Sequence, residues 1–432
     1  MKLLVFAHVP PPHHGQSYMV QLMLNGFGGD CRKSRNKSGT RNGYDIDCYH
    51  VDARFSKSLT DIGELQIAKL PLILFYCLQA IWCRFRYGVT NFYYVPAPSK
   101  SIALYRDWLV MFICRPFFKH IILHWHAAGL AKWLETSTQI RTRALTYRVF
   151  KPVDLSIVLS KHVIADAEKL LSQRICILNH GIPDPCPDFK QKVLPRRRAR
   201  FALRARLLAG QKVSPAEMEA AGSDPQIIKV FYLAHCMREK GLFDALEGVV
   251  RAEQKLKKLN IPMKLQLSVA GEFVNRDEKF EFVRRVEEIE ADSGSQLRIH
   301  YLGFVSGEAK ARAFIESDCF CFPTYYYAES FGLVVVEAMA FGLPVVTTRW
   351  RSLPEILPPN YPGLVSVKSP GEIADVLIKL TTQESGETLR DYYQNHFTLE
   401  VYLKNLAKAF HSVESAADGT LKSFSPAAGM NG

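Results

Sequence analysis

Apolar, β-branched and aromatic runs of strand length, separated by helix-length segments, occur in two successive sets along this chain. The first set is LLVFAHV (3–9), NFYYVPA (91–97), HIILHWHA (120–127), DLSIVLS (154–160) and RICILN (174–179). The second is IIKVFYLAH (227–235), KLQLSVAGE (264–272), LRIHYLGFV (297–305), CFCFPT (319–324), GLPVVTT (342–348) and GLVSV (363–367), with helical patterns at 243–259 and 278–292 between them. Such alternation predicts parallel sheets covered by helices, an α/β protein. At 432 residues the chain exceeds one ordinary core. The expected organisation is therefore two doubly wound domains, 1–184 and 226–385, with a linker and basic helical insertion over 185–225. C-terminal helices follow over 386–422, with a path that crosses back to the first domain as one option, and the polar tail 423–432 is expected to be disordered. Ligands of doubly wound sheets bind at the carboxyl ends of the strands, so two facing units predict an interdomain cleft.

Composition narrows the setting. Ten cysteines are scattered with no CxxC pair, which favours a reducing, cytoplasmic compartment over a disulfide framework or zinc module. The N-terminus, MKLLVFAHVPPP, has its apolar run broken by prolines and reads as a first buried strand rather than a secretory signal. The most apolar window, Leu70 to Cys83, is followed by Arg84 and Arg86 and falls short of the roughly 20 residues needed to cross a bilayer. The net charge of +13 is uneven: residues 1–220 hold 32 Lys and Arg against 15 Asp and Glu, a surplus of 17, while the remainder holds 23 against 27. A basic first half implies an anionic partner or a solvated basic face. The candidate partners are an anionic membrane surface, a lipid-phosphate acceptor and nucleic acid.

The stretch that carries chemistry is PTYYYAESFGLVVVEAMAFGLPVVTTRWRSLPEIL (323–357). A strand leaves its sheet at Pro323, a loop runs to Phe331, and Gly332 permits a turn into a helix whose amino end offers N–H groups and a positive dipole to a phosphate. Glu329 stands just before that start and Glu337 two turns along it. A carboxylate at a helix head serves as a cap or as a ligand, and its position alone leaves both open. Glu337, however, sits among Val334, Val335, Val336, Ala338 and Met339, where burial without a partner costs several kcal/mol, so it must meet a cation or a hydrogen-bonding ligand such as a sugar diol.

ESFGLVVVEAMAFGLPVV resembles the E-x7-E signature of the family 4 retaining glycosyltransferases, which have the GT-B fold of two Rossmann-like domains facing across an interdomain cleft. The resemblance implies that Glu329 contacts the donor sugar and that the amides of Phe331, Gly332 and Leu333 meet sugar and diphosphate. Glu337 would hold the ribose hydroxyls. FYLAHCMREKGLFDALEGV (231–249) resembles the family's strand, loop and K-G helix, which assigns Lys240 to the donor diphosphate. The family's arginine after the strand is replaced by His235, with Arg238 three residues on as the alternative second cation. PPPHHGQS (10–17) resembles the glycine loop after the first strand, with Gly15 as its key residue, and LHWHAAGL (123–130) the segment whose histidine, here His126, lies beside the donor sugar. ILNHGIPD (177–184) resembles the entry to the interdomain linker.

The reaction implied replaces a nucleoside diphosphate by an acceptor hydroxyl at the anomeric carbon with net retention, on a sugar or lipid-linked acceptor, in cell-envelope polysaccharide or glycolipid synthesis. Cations and oriented amides at the leaving group remove the need for a metal or other cofactor. Asp45-Ile46-Asp47 has the DxD pattern of metal-dependent transferases but lies far from the donor motif, and His124 and His126 could ligate zinc only with a third ligand, none of which is apparent. The rivals are a GT-B epimerase or phosphorylase and a nucleic-acid-binding protein using RRRAR (196–200), although no stacking module accompanies that run. Leu70 to Cys83 and Asp107 to Lys119 offer apolar surface for a peripheral position on the inner face of a membrane. Tyr325, Tyr326 and Tyr327 are candidates for stacking on a base or acceptor ring.

Overall fold

The structure, a computed structural model, describes residues 1–11, 14–33, 43–54, 70–96, 99–170, 172–220, 225–261, 263–382 and 386–417. The expected disordered tail at 423–432 lies outside the described residues. The chain forms two compact units, Met1–Ile182 with Ala328–Phe331 and Leu399 onward, and Pro183–Tyr327 with Gly332–Thr398.

The first unit holds a six-stranded sheet of β1 (Lys2–Phe6), β2 (Asp47–Val51), β3 (Asn91–Tyr94), β4 (His120–His124), β5 (Leu155–Val158) and β6 (Ile175–Ile177) in the order β2-β1-β3-β4-β5-β6. Every pairing is parallel, from Lys2 opposite Asp47 to Val158 opposite Ile177. The central strands are buried on both faces, as their unbroken apolar runs require. Helix Leu399–Ala417 belongs to this unit: Phe410 packs against Phe27 and Tyr93, and Asn91 donates to Glu414 at 3.0 Å. Asp45 and Asp47 flank the start of β2, at the amino end of the sheet, away from the strand ends where ligands of such sheets bind.

The second unit repeats the architecture with β7 (Ile227–Leu233), β8 (Lys264–Ala270), β9 (Arg298–Gly303), β10 (Cys319–Phe322), β11 (Val345–Thr348) and β12 (Leu364–Val365), again all parallel, ordered β12-β11-β10-β7-β8-β9. Counted within the unit this is the 3-2-1-4-5-6 Rossmann order read from its far edge, and the direction of winding reverses between β7 and β10.

The basic run 194–208, read from sequence as part of a linker and helical insertion, packs into the second unit. Residues from Pro183 group with the second unit, and the run forms helix Leu194–Leu208, in which Arg197, Arg200 and Arg204 are buried. Arg200 and Arg204 both pair with buried Asp318, at 2.6 and 2.9 Å, and Arg197 donates to the carbonyls of Phe341 (2.6 Å) and Gly342 (2.8 Å). Those guanidiniums hold the helix against the sheet by satisfying carbonyls and one carboxylate, so their charge is spent inside the unit. Arg196 and Arg198 alone of the RRRAR run are exposed.

Candidate functional site

In the second unit the loops leaving β7 and β10, the two strands at the winding reversal, carry the expected donor-site residues. The loop after β7 ends in a 3-10 turn, Arg238–Lys240, and Gly241 at φ 80° starts helix Leu242–Lys258. A Cβ on Gly241 would stand 2.3 Å from the Pro323 carbonyl oxygen, so only glycine lets this turn press on the exit of β10. Tyr325 N–H and Thr324 Oγ1 donate to the Glu239 carbonyl at 2.8 and 3.2 Å, fastening the two loops. The fastening sets Lys240 Nζ 4.6 Å from the ring centre of Tyr326. Trp350 Nε1 donates to the Tyr326 carbonyl at 2.9 Å and holds the tyrosine from the other side. Tyr325 lies under Lys368 Nζ at 4.9 Å, whereas Tyr327 is exposed.

Helix Leu333–Ala340 begins at Gly332, whose φ of 79° is left-handed and whose Cβ would meet Leu353 Cδ2 at 2.5 Å. It ends in a Schellman closure, with Gly342 N–H donating to the Met339 carbonyl (2.8 Å) and Leu343 N–H to that of Ala338 (2.9 Å). Glu337 on this helix has a cationic partner: Lys310 Nζ of helix Gly307–Glu316 lies 2.8 Å from its Oε1. The apolar neighbours of Glu337 require such a partner, and the one present, Lys310, lies 27 residues away in sequence. Arg238 is engaged elsewhere, its guanidinium 2.5 Å from both Glu281 carboxylate oxygens and 4.4 Å from the Phe243 ring centre. His235 is exposed at the end of β7.

Glu329 and Phe331 belong to the short segment that groups with the first unit, and both are buried there. Ser330 Oγ donates to the His126 carbonyl at 2.7 Å, and the Phe331 ring meets that of His180 at 5.1 Å. These contacts tie the glutamate-bearing segment to the carboxyl end of β4. Around them His124, His126 and His180 are all buried, with ring centres 4.2 Å apart for the first two and 4.9 Å for the last two. Burial, reinforced by each other's charge, drives all three imidazoles well below their usual pKa, so they are neutral at pH 7. His8 and His14 extend the group: their Nε2 atoms lie 2.8 Å apart, and burial, then His14, lowers His8 to about 4. Gly15 opens helix Gly15–Gly26 directly after His14; a Cβ there would meet nothing within 4 Å.

His180 supplies a third imidazole beside His124 and His126. Potential ligand atoms of His124, His126 and His180 lie within 4.8 Å of one another, and among the described residues they are the group able to hold a metal ion. His124 Nδ1 is oriented by the Tyr93 hydroxyl at 2.8 Å. Neither nitrogen of His126 has a protein partner, whereas a metal-bound histidine nearly always anchors its second ring nitrogen. Four buried nitrogens without protein partners, one on His124, two on His126 and one on His180, suit a ligand that both donates and accepts, such as a sugar hydroxyl.

Residues 214–398 match the family model described as glycosyl transferases group 1, and they form a domain of that type. Over 83 residues the chain is 36% identical to a sulfoquinovosyl transferase of Arabidopsis thaliana, covering 19% of this chain and 16% of that protein. Over 109 residues it is 34% identical to a phosphatidyl-myo-inositol mannosyltransferase of Mycobacterium leprae, covering 25% of this chain and 28% of that protein. The chain thus aligns with well under half the length of these curated relatives. Among solved structures, sucrose-phosphate synthase from Thermosynechococcus elongatus shares the fold with a TM-score of 0.61 at 18% identity, over 96% of this chain and all of that one. Anabaena HepE in complex with UDP and glucose gives 0.58 at 14% identity, over 95% of this chain and 99% of that one. The fold is that of the GT-B glycosyltransferases, two Rossmann-like domains, as its sequence pattern implies.

Proposed function

We propose that this chain is a retaining glycosyltransferase of the family 4 type, transferring a hexosyl-type sugar from a nucleoside diphosphate to an acceptor hydroxyl in cell-envelope polysaccharide or glycolipid synthesis. The observation that carries the reading lies within the group 1 domain. There the two loops at the winding reversal are locked together by Gly241, and they bring Lys240 and the amino end of helix Leu333–Ala340 to the carboxyl edge of the sheet. In this reading Lys240 and the first amides of that helix, around Leu333, neutralise the departing diphosphate, where negative charge grows as the anomeric carbon becomes oxocarbenium-like. Glu337, held by Lys310, accepts from the ribose hydroxyls. Glu329 contacts the donor sugar, and neutral His126 with its two neighbours receives sugar hydroxyls.

The bond from the anomeric carbon to the diphosphate oxygen breaks and one to the acceptor oxygen forms on the same face. The departing oxygen is then the nearest base for the acceptor's proton. No metal enters this scheme; the expectation is that a chelator leaves turnover unchanged. A phosphatidylinositol mannosyltransferase among the relatives supports a lipid-linked acceptor.

The test combines a thermal-shift screen of nucleotide sugars with acceptor-dependent release of nucleoside diphosphate. A matching donor stabilises by mass action, about 2.7 kcal/mol at a hundred times its Kd. Release of nucleoside diphosphate only when an acceptor is added, with product of retained anomeric configuration, is expected. Acceptor-independent release would replace transfer by epimerase-type chemistry, and an inverted product would end the retaining assignment.

A further inference from the structure

Helix Leu70–Tyr87 is apolar on the side that should be polar. Ile73, Cys77, Ala80 and Cys83 form its buried stripe. Phe75, Leu78, Trp82 and Phe85 recur on the other side, and at 3.6 residues per turn the two stripes are centred about 180° apart. Leu78 is 64% and Phe85 68% exposed. The packed neighbour, helix Ser101–Cys114, adds Phe112 at 76% exposure. The following turn adds Phe117, whose ring meets Phe85 at 5.9 Å and whose carbonyl accepts from Arg84 Nε at 2.8 Å, so the patch is continuous. Large contiguous apolar patches on a protein surface mark interaction sites.

Charge selects the occupant. Helix Leu70–Tyr87 contains no carboxylate and ends in Arg84 and Arg86, and Lys119 is exposed just beyond Phe117. The one carboxylate of helix Ser101–Cys114, Asp107, is buried and bound by the Tyr94 hydroxyl (2.6 Å) and Arg106 (2.8 Å). Cations at one end of a row of outward aromatic and leucine side chains, with no exposed carboxylate on either helix, fit a bilayer interface bearing anionic headgroups. Among the described residues no helix is long and apolar enough to cross a membrane, so the contact is one of lying on the surface.

We infer that this face seats the first unit on an anionic lipid bilayer, with Phe75, Leu78, Trp82, Phe85, Phe112 and Phe117 inserted at the headgroup boundary. The inference concerns a surface of its own and does not depend on the sugar-transfer reading. It is tested on the full chain, without nucleotide sugar, by co-sedimentation with vesicles of phosphatidylcholine containing phosphatidylglycerol, alongside pure phosphatidylcholine vesicles.

The expected result is binding to the anionic vesicles that salt weakens, with Trp82 fluorescence shifted to the blue. F75S/L78S/F85S alters only exposed side chains and should keep the wild-type melting temperature. It should lower partitioning by more than about tenfold, the scale of burying a single large apolar side chain. R86Q should lower it about fivefold. Equal binding to uncharged vesicles, undiminished binding by the triple variant, or a wild-type dimer that the triple variant dissociates would each overturn the inference.

Discussion

Lys310 offers a decisive perturbation because it is the cation paired with Glu337. Its Nζ lies 2.8 Å from the carboxylate, with side-chain exposures of 33% for the lysine and 15% for the acid. At an effective dielectric near 20 that separation is worth about 6 kcal/mol of attraction, most of it offset by desolvation and side-chain ordering. Exposed pairs net about 0–1 kcal/mol, whereas breaking a fully buried one costs about 3–5, so K310A should destabilise by roughly 1–2 kcal/mol. That lowers the melting temperature by about 2–8 °C, at 2–4 °C per kcal/mol for a unit of this size. Thermal denaturation of K310A, E337A and the double variant closes the cycle, and a coupling of at least about 1 kcal/mol is expected. Calorimetric titration with nucleoside diphosphate should show K310A weakened about tenfold, because the carboxylate loses the group that orients it. A coupling within about 0.3 kcal/mol of zero, together with unchanged affinity, would refute the reasoning.

The buried arginine network should be costly to break: D318A strands Arg200 and Arg204 in the interior and is expected to lose about 3–5 kcal/mol in urea denaturation. Stability should fall as the pH drops below 7. The native imidazoles of His8, His124, His126 and His180 have depressed pKa values, so below the unfolded value near 6.5 the unfolded chain binds protons that the native one does not, and for His8 this continues down to about 4. Melting temperatures between pH 7 and 5 should drop by the equivalent of up to about 1.4 kcal/mol per pH unit for each such histidine; a flat profile would show that they are not held neutral. The glycines divide into two kinds: G332A should cost about 2–4 kcal/mol through its left-handed backbone and the Leu353 clash, whereas G15A should leave the melting temperature unchanged while raising KM.

The sheets were legible because parallel strands are buried on both faces and write themselves as apolar runs. β2 was the least legible, since DCYHV mixes polar and apolar residues and does not stand out as a strand-like run. The turn at Gly332 and the helix carrying Glu337 were readable from local chemistry. What stayed hidden were partners set by distant chain: Lys310 for Glu337, Asp318 for the arginines of helix Leu194–Leu208, and His180 beside His126. An arginine run looks identical in sequence whether it faces water or a buried carboxylate, and only tertiary packing chooses. His180 sat within the motif ILNHGIPD, read as a linker entry, and the signal that could have singled it out was a histidine directly before a glycine at a strand's carboxyl end.

The central claim, that Glu337 grips the ribose of an activated sugar, is tested most directly by titrating wild-type and E337A protein with a nucleoside diphosphate and its 2′-deoxy analogue. A hydrogen bond to a charged group is worth about 1.5–3 kcal/mol, so the wild type should prefer the ribonucleotide by about ten- to a hundredfold and E337A should prefer neither. If E337A discriminates between the two as strongly as the wild type does, Glu337 does not hold the ribose.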